Sequence, residues 1–174
     1  EIIKKMVKRK INPLTSMIKK HFSDLEKKQK KFTPGKSSIP LAIPPYGWEE
    51  VVDAVDSLLE MKTTMSEKVQ KFENLFAKYL GVKHAIMVNS GSSANLLAMS
   101  ILSNSSLSKA KIKTNDEIIT PAVTWATTVY PILNVGAKPV FVDVGLKDYT
   151  IDPEKIEKAI TKKTKAIFLV HLLG

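Results

Sequence analysis

The feature that most constrains this chain is a change of hydrophobic period after Gly81. Before it, apolar residues recur at helical spacing: Val51, Val52, Val55, Leu58 and Leu59, then Val69, Phe72, Leu75, Phe76, Tyr79 and Leu80. After it, short apolar runs alternate with helical stretches. Residues 85–88, 117–120, 139–144 and 165–172 read as strands, and 94–103, 124–135 and 152–160 as helices. Strand–helix alternation of this kind predicts an α/β fold with a mostly parallel sheet flanked by helices. In such sheets ligands gather at the carboxyl ends of strands. Attention therefore falls on residues 89–93, on 121–125, on Asp143 and on His171.

Helix boundaries are also legible. Ser66 is a predicted N-cap, Gly81 a predicted C-cap, and Asp152-Pro153 a cap followed by proline at the first helical position. Pro131 interrupts the helix expected over 124–135. Residues 1–31 read as mostly helical, broken at Asn12-Pro13, and residues 32–47 as an irregular Pro- and Gly-containing linker.

Composition removes several classes of function. The 174 residues include no Cys, which excludes a disulfide scaffold, a thiolate metal site and a cysteine nucleophile. Three His (His21, His84, His171) are too few for a His-rich metal cluster, so no metal site is expected. The longest apolar run, 166–173, is too short to span a bilayer, and no signal-peptide pattern follows the first residues; a cytoplasmic location is expected. The net charge of +10 is concentrated: residues 1–36 carry +9 and residues 37–174 only +1. The basicity belongs to an N-terminal extension, expected over 1–36, and not to the main body over 37–174. Such an arm could hold a polyanion. A solvated helix face is the usual outcome of such a charge run, and no nucleic-acid motif accompanies it. The chain starts at Glu1 and stops at Gly174 directly after a predicted strand, which reads as a fragment of something longer.

The strongest local signal is Val88-Asn89-Ser90-Gly91-Ser92-Ser93-Ala94-Asn95, a run of small residues leading into a helix. Gly91 lets the backbone turn tightly, and the helix start presents free N–H groups backed by the positive end of the helix dipole. With the hydroxyls of Ser92 and Ser93 this makes a phosphate cradle. The same pattern also fits a plain helix cap by Ser92 or Ser93. Neither a Walker loop nor GxGxxG is present. Trp125 follows the strand over 117–120 and Pro121, and could stack on a flat ring or fill a core position. Asp143, Asp148 and Asp152 read as cap and turn residues, and His171 as a structural histidine.

Taken in order, Ser90-Gly91-Ser92-Ser93-Ala94-Asn95-Leu96-Leu97-Ala98, Asp116-Glu117-Ile118-Ile119-Thr120-Pro121 with Thr124-Trp125, Pro139-Val140-Phe141-Val142-Asp143-Val144, Lys165-Ala166-Ile167 and Val170-His171-Leu172-Leu173-Gly174 resemble the DegT/StrS family. The resemblance covers residues 34–174. It leans towards the CDP-4-keto-6-deoxy-D-glucose-3-dehydrase-like branch through the Pro34-Gly35 to Pro40 linker and the Ser-Ser-Ala-Asn form of the cradle. It implies the aspartate aminotransferase fold (fold type I) and pyridoxal 5'-phosphate (PLP), or its pyridoxamine form, as cofactor. It implies a nucleotide-linked 4-keto-6-deoxysugar as substrate, with amino transfer or C3 dehydration as the reaction. A homodimer and a role in surface polysaccharide synthesis are further implications.

By the same resemblance Gly91, Ser92 and Ser93 bind the cofactor phosphate and Trp125 stacks on the pyridine ring. The family's Thr-x-Gly segment stands here as Thr63-Thr64-Met65-Ser66, without the Gly. The carboxylate that faces the pyridine nitrogen, and the Lys (aminotransferase) or His (dehydrase) that moves protons, are expected beyond Gly174. Residues 1–174 therefore hold no catalytic residue on this reading, and the chain alone should not catalyse. A non-enzymatic domain for a phosphate ligand or a protein partner is the rival expectation, and polyanion binding through residues 1–36 the third.

Overall fold

The computed structural model describes residues 13–28, 32–40, 42–43, 45–64, 66–106 and 111–172. The helical patterns expected over 1–12 and 29–31 lie outside them. The chain divides into two compact units, with the boundary between Ala85 and Ile86. The boundary expected at residues 36 and 37 falls inside the first unit.

Among its described residues the first unit holds three helices: α1 (Pro13–Lys28), α2 (Trp48–Leu59) and α3 (Glu67–Leu80). Pro13 opens α1 at the one place in a helix where a missing N–H costs nothing. The Glu50 carboxylate reaches back to accept from Gly47 N at 2.7 Å, closing the start of α2. Helix α1 packs on α2, and Lys19 Nζ sits 5.1 Å from the centre of the Trp48 ring. Lys68 Nζ ties α3 to α2 by donating to Asp53 O at 3.0 Å and Ser57 Oγ at 2.9 Å. Gly81 ends α3 in the left-handed conformation (φ 69°), as expected. Of the apolar stripe on α2 only Val52 is buried; Leu58 and Leu59 face solvent.

The second unit is the α/β part. Helix α4 (Gly91–Ser103) leads to strand β1 (Glu117–Pro121). Helix α5 (Ala126–Asn134), strand β2 (Lys138–Val142), helix α6 (Pro153–Ala159) and strand β3 (Thr164–Ile167) follow. The three strands form one parallel sheet in the order β2-β1-β3. The expected fold class is what the structure has, a parallel sheet flanked by helices. Strand β1 is central, and Ile118, Ile119 and Thr120 have no exposed surface. Ile118 faces the core formed with Met99 of α4, Ile132 of α5, Ile112 and Ala137. Pro139 sits in β2, an edge strand of this sheet, where a missing N–H is tolerated. Asp152 caps α6 by accepting from Glu154 N at 3.0 Å, with Pro153 next, as predicted.

One expected strand is not formed. Residues 85–88 form no regular element and pair with no strand among the described residues, and Ile86 is largely exposed. An apolar run becomes a strand only when a neighbour completes its ladder. Strands β2 and β3 are shorter than the runs that announced them, whereas β1 extends one residue further, to Pro121.

Gly136 turns the chain from α5 into β2 at φ +76°, where an added Cβ would lie 3.1 Å from Thr114 Oγ1. Gly136→Ala is therefore expected to lower stability by about 1–3 kcal/mol. Gly91→Ala, with open space around its α-carbon, should leave stability within about 1 kcal/mol. Urea unfolding of the two variants checks this contrast.

Candidate active site at the start of helices α4 and α5

Pairing of Pro121 with Val142 brings the ends of β1 and β2 to one sheet edge. Three of the expected positions lie just past strand ends. Trp125 is the N-cap of α5, four residues past β1, and is 77% exposed. Asp143 follows β2. His171 lies four residues past β3 and is exposed. His21 and His84 belong to the other unit.

The serine cluster resolves into separate jobs. Ser90 is extended (φ −162°, ψ 162°) and is the N-cap of α4: its Oγ accepts from Ser93 N at 3.2 Å. Ser90 Oγ–H also donates to Ser93 Oγ at 3.2 Å. The plain capping role considered for Ser92 or Ser93 thus belongs to Ser90. Among the described residues no acceptor takes the Gly91 or Ser92 amide, or the Ser92 hydroxyl. Open space surrounds Gly91. The first turn of α4 therefore presents unengaged donors, a helix dipole and no obstructing side chain, which suits an anionic oxygen.

This helix start is tied to the Trp125 turn. Asn95 Nδ2 of α4 donates to Thr127 O of α5 at 3.3 Å. Thr124 Oγ1 donates to the buried Thr128 Oγ1 at 3.0 Å, bracing the turn that carries Trp125. The sequence reading did not single out this tether, which joins residues 32 positions apart. Thr120 Oγ1, at the end of β1, is buried with no hydrogen-bond partner among the described residues.

The carboxylates are engaged as expected of turn and cap residues. Asp143 accepts from Val144 N at 3.0 Å and from Lys155 Nζ at 3.3 Å, and Lys155 also lies 3.8 Å from Asp152. The Val144 amide, then the Lys155 ammonium, hold the Asp143 carboxyl below its ordinary value. Asp148 accepts from Thr150 N at 3.1 Å, which lowers its pKa in the same sense. No group of His, Asp and Glu that could hold a metal is found among the described residues. Nor is any helix there long and apolar enough to cross a membrane.

Comparison with known proteins decides what this arrangement belongs to. The model of the DegT/DnrJ/EryC1/StrS aminotransferase family matches residues 46–174. The chain belongs to that family. It is 43% identical over 126 residues to dTDP-4-dehydro-2,6-dideoxy-D-glucose 3-dehydratase of Saccharopolyspora spinosa, covering 72% of this chain and 27% of that protein. It is 39% identical over 145 residues to the lipopolysaccharide biosynthesis protein RfbH of Salmonella typhimurium, covering 83% of this chain and 33% of that one. Its fold matches Escherichia coli GDP-4-keto-6-deoxy-D-mannose-3-dehydratase, solved with bound hydrated PLP, at a TM-score of 0.65 and 42% identity. That match covers 75% of this chain and 33% of the other. The fold expected from the resemblance, that of the PLP-dependent sugar enzymes of fold type I, is borne out. The chain spans about a third or less of the length of these relatives.

Because the folded-state pKa of Asp143 is lowered, its contribution to stability is present above the ordinary value of 3.8 and is lost as pH falls through the lowered one. Asp143→Asn should flatten the fall of the unfolding midpoint in the acid range below 3.8, and leave the neutral-pH slope unchanged. Denaturation followed across that range reads the difference.

Proposed function

We propose that residues 37–174 form part of the cofactor-binding domain of a PLP-dependent enzyme acting on a nucleotide-linked 4-keto-6-deoxysugar, by amino transfer or by C3 dehydration. Residues 1–36 are a basic extension to it. The observation that carries this reading is the pairing of an unengaged α4 start with an exposed tryptophan at the α5 start, tethered through Asn95, in a chain of this family. The dehydratase names of relatives 43–44% identical support the substrate class. The name of the Salmonella relative supports a place in surface polysaccharide synthesis.

The residues present fit the cofactor. The amides of Gly91 and Ser92 and the Ser92 hydroxyl are the donors for its phosphate, with the α4 dipole adding attraction. Ser93 spends its amide on Ser90, so it offers the phosphate only its hydroxyl. The exposed Trp125 indole would stack on the pyridine ring and shield it from water. PLP, once bound, supplies an electron sink for bonds at the carbon bearing the amine. The proton-moving Lys or His and the carboxylate at the pyridine nitrogen are assigned no position within residues 1–174. A homodimer in the cytoplasm completes the proposal.

PLP titration of the protein as its gene encodes it, followed by the cofactor absorbance band, tests the reading. Replacing both Ser92 and Ser93 by Ala, or Trp125 by Ala, should each weaken binding about tenfold, the loss of one charge-assisted hydrogen bond or one ring stack. Gly91→Ala should weaken it at unchanged stability, by placing a methyl where the phosphate approaches. Unchanged affinity in all three variants would sink the site assignment. Saturable binding of inorganic phosphate without any PLP binding would favour a non-enzymatic ligand domain.

A further inference from the structure

Helix α5 contains a proline in its interior, Pro131. Proline has no N–H, so the carbonyl four residues earlier, that of Thr127, has no i+4 donor within its own helix. The ring also crowds that carbonyl and turns it away from the helix axis. Asn95 Nδ2 approaches this same oxygen, at 3.3 Å. Only the amide nitrogen of Asn95 can face a carbonyl, so the side-chain orientation is fixed by chemistry.

We propose that Asn95 and Pro131 are a matched pair, in which Pro131 frees the Thr127 carbonyl and Asn95 takes it. This makes Asn95 the positioning residue that sets the phosphate donors of α4 against the Trp125 platform. The proposal rests on the cofactor reading above and deepens it.

The placement is economical. Asn95 lies one helical turn after Gly91, so it moves rigidly with the Gly91 and Ser92 amides. Thr127 lies two residues after Trp125, in the first turn of α5. Pro131, Ile132 and Thr128 are all buried, so α5 cannot rotate to present a different carbonyl. A donor from α4 to any other α5 backbone carbonyl with an i+4 N–H would compete with an existing helix bond. The vacancy left by Pro131 makes this one available. An interior proline, otherwise a defect in a helix, thereby becomes the means of joining two helix starts.

A double-mutant cycle separates this from ordinary packing. Asn95→Leu keeps the bulk and removes the donor. It should lower the unfolding equilibrium constant's advantage for the native state by about five- to tenfold. Pro131→Ala restores a backbone N–H to the Thr127 carbonyl. In that background Asn95→Leu should cost less than about twofold, because the carbonyl is already satisfied. PLP affinity, and the part of the PLP-induced fluorescence quenching that Trp125→Ala removes, should behave differently. Both should stay weakened in the double variant although its stability has recovered, since the tether between α4 and α5 is still absent.

Equal costs of Asn95→Leu in the two backgrounds would overturn the matched pair. Recovery of PLP affinity together with stability would overturn the positioning role. Absence of PLP binding by the unaltered protein would instead overturn the cofactor reading, and the positioning role with it, while the stability cycle still reports on the pair.

Discussion

Burial of β1 on both edges and both faces is the constraint on which the second unit depends. Ile118, Ile119 and Thr120 are sealed from solvent, with β2 on one side and β3 on the other. A backbone in that position has no water to bond, so both ladders must form for either to be tolerable. Once they form, the ends of β1 and β2 share one edge through the Pro121–Val142 register. The turn to Trp125 begins there. Helix α4 is fixed to the same frame through Met99, which packs in the core with Ile118 and Ile132. The site is thus two helix starts hung on one buried strand.

How much of this the sequence disclosed follows from the range of each interaction. Local chemistry was legible: Gly81 ending α3, Asp152-Pro153 starting α6, and the apolar runs of β1 and β2. Each depends on neighbours a few residues away. The run over 85–88 shows the limit, since strand formation needs a partner that composition cannot name. The serines show another limit. Ser90, Ser92 and Ser93 are chemically equivalent, and only the extended backbone at Ser90 decides which one caps α4. The Asn95–Thr127 bond lay furthest out of reach, although Pro131 gave a usable sign: an interior proline always leaves one carbonyl to be accounted for.

The site and its surroundings divide the polar groups by task. Carboxylates around α6 are spent on local structure: Asp143 on Val144 and Lys155, Asp148 on Thr150, Asp152 on the start of α6. The start of α4 keeps its donors open, with no acidic residue in its first turn. An anion approaching there meets amides and hydroxyls with no repelling carboxylate on the same turn.

The strand order also has a consequence for how the chain acquires its shape. β1, α5 and β2 are contiguous in sequence and pair directly, so this segment can close as soon as it leaves the ribosome. β3 must then travel back past β2 to reach the free edge of β1. Until it arrives, that edge is an open template for another chain, and synthesis of α6 sets how long the exposure lasts.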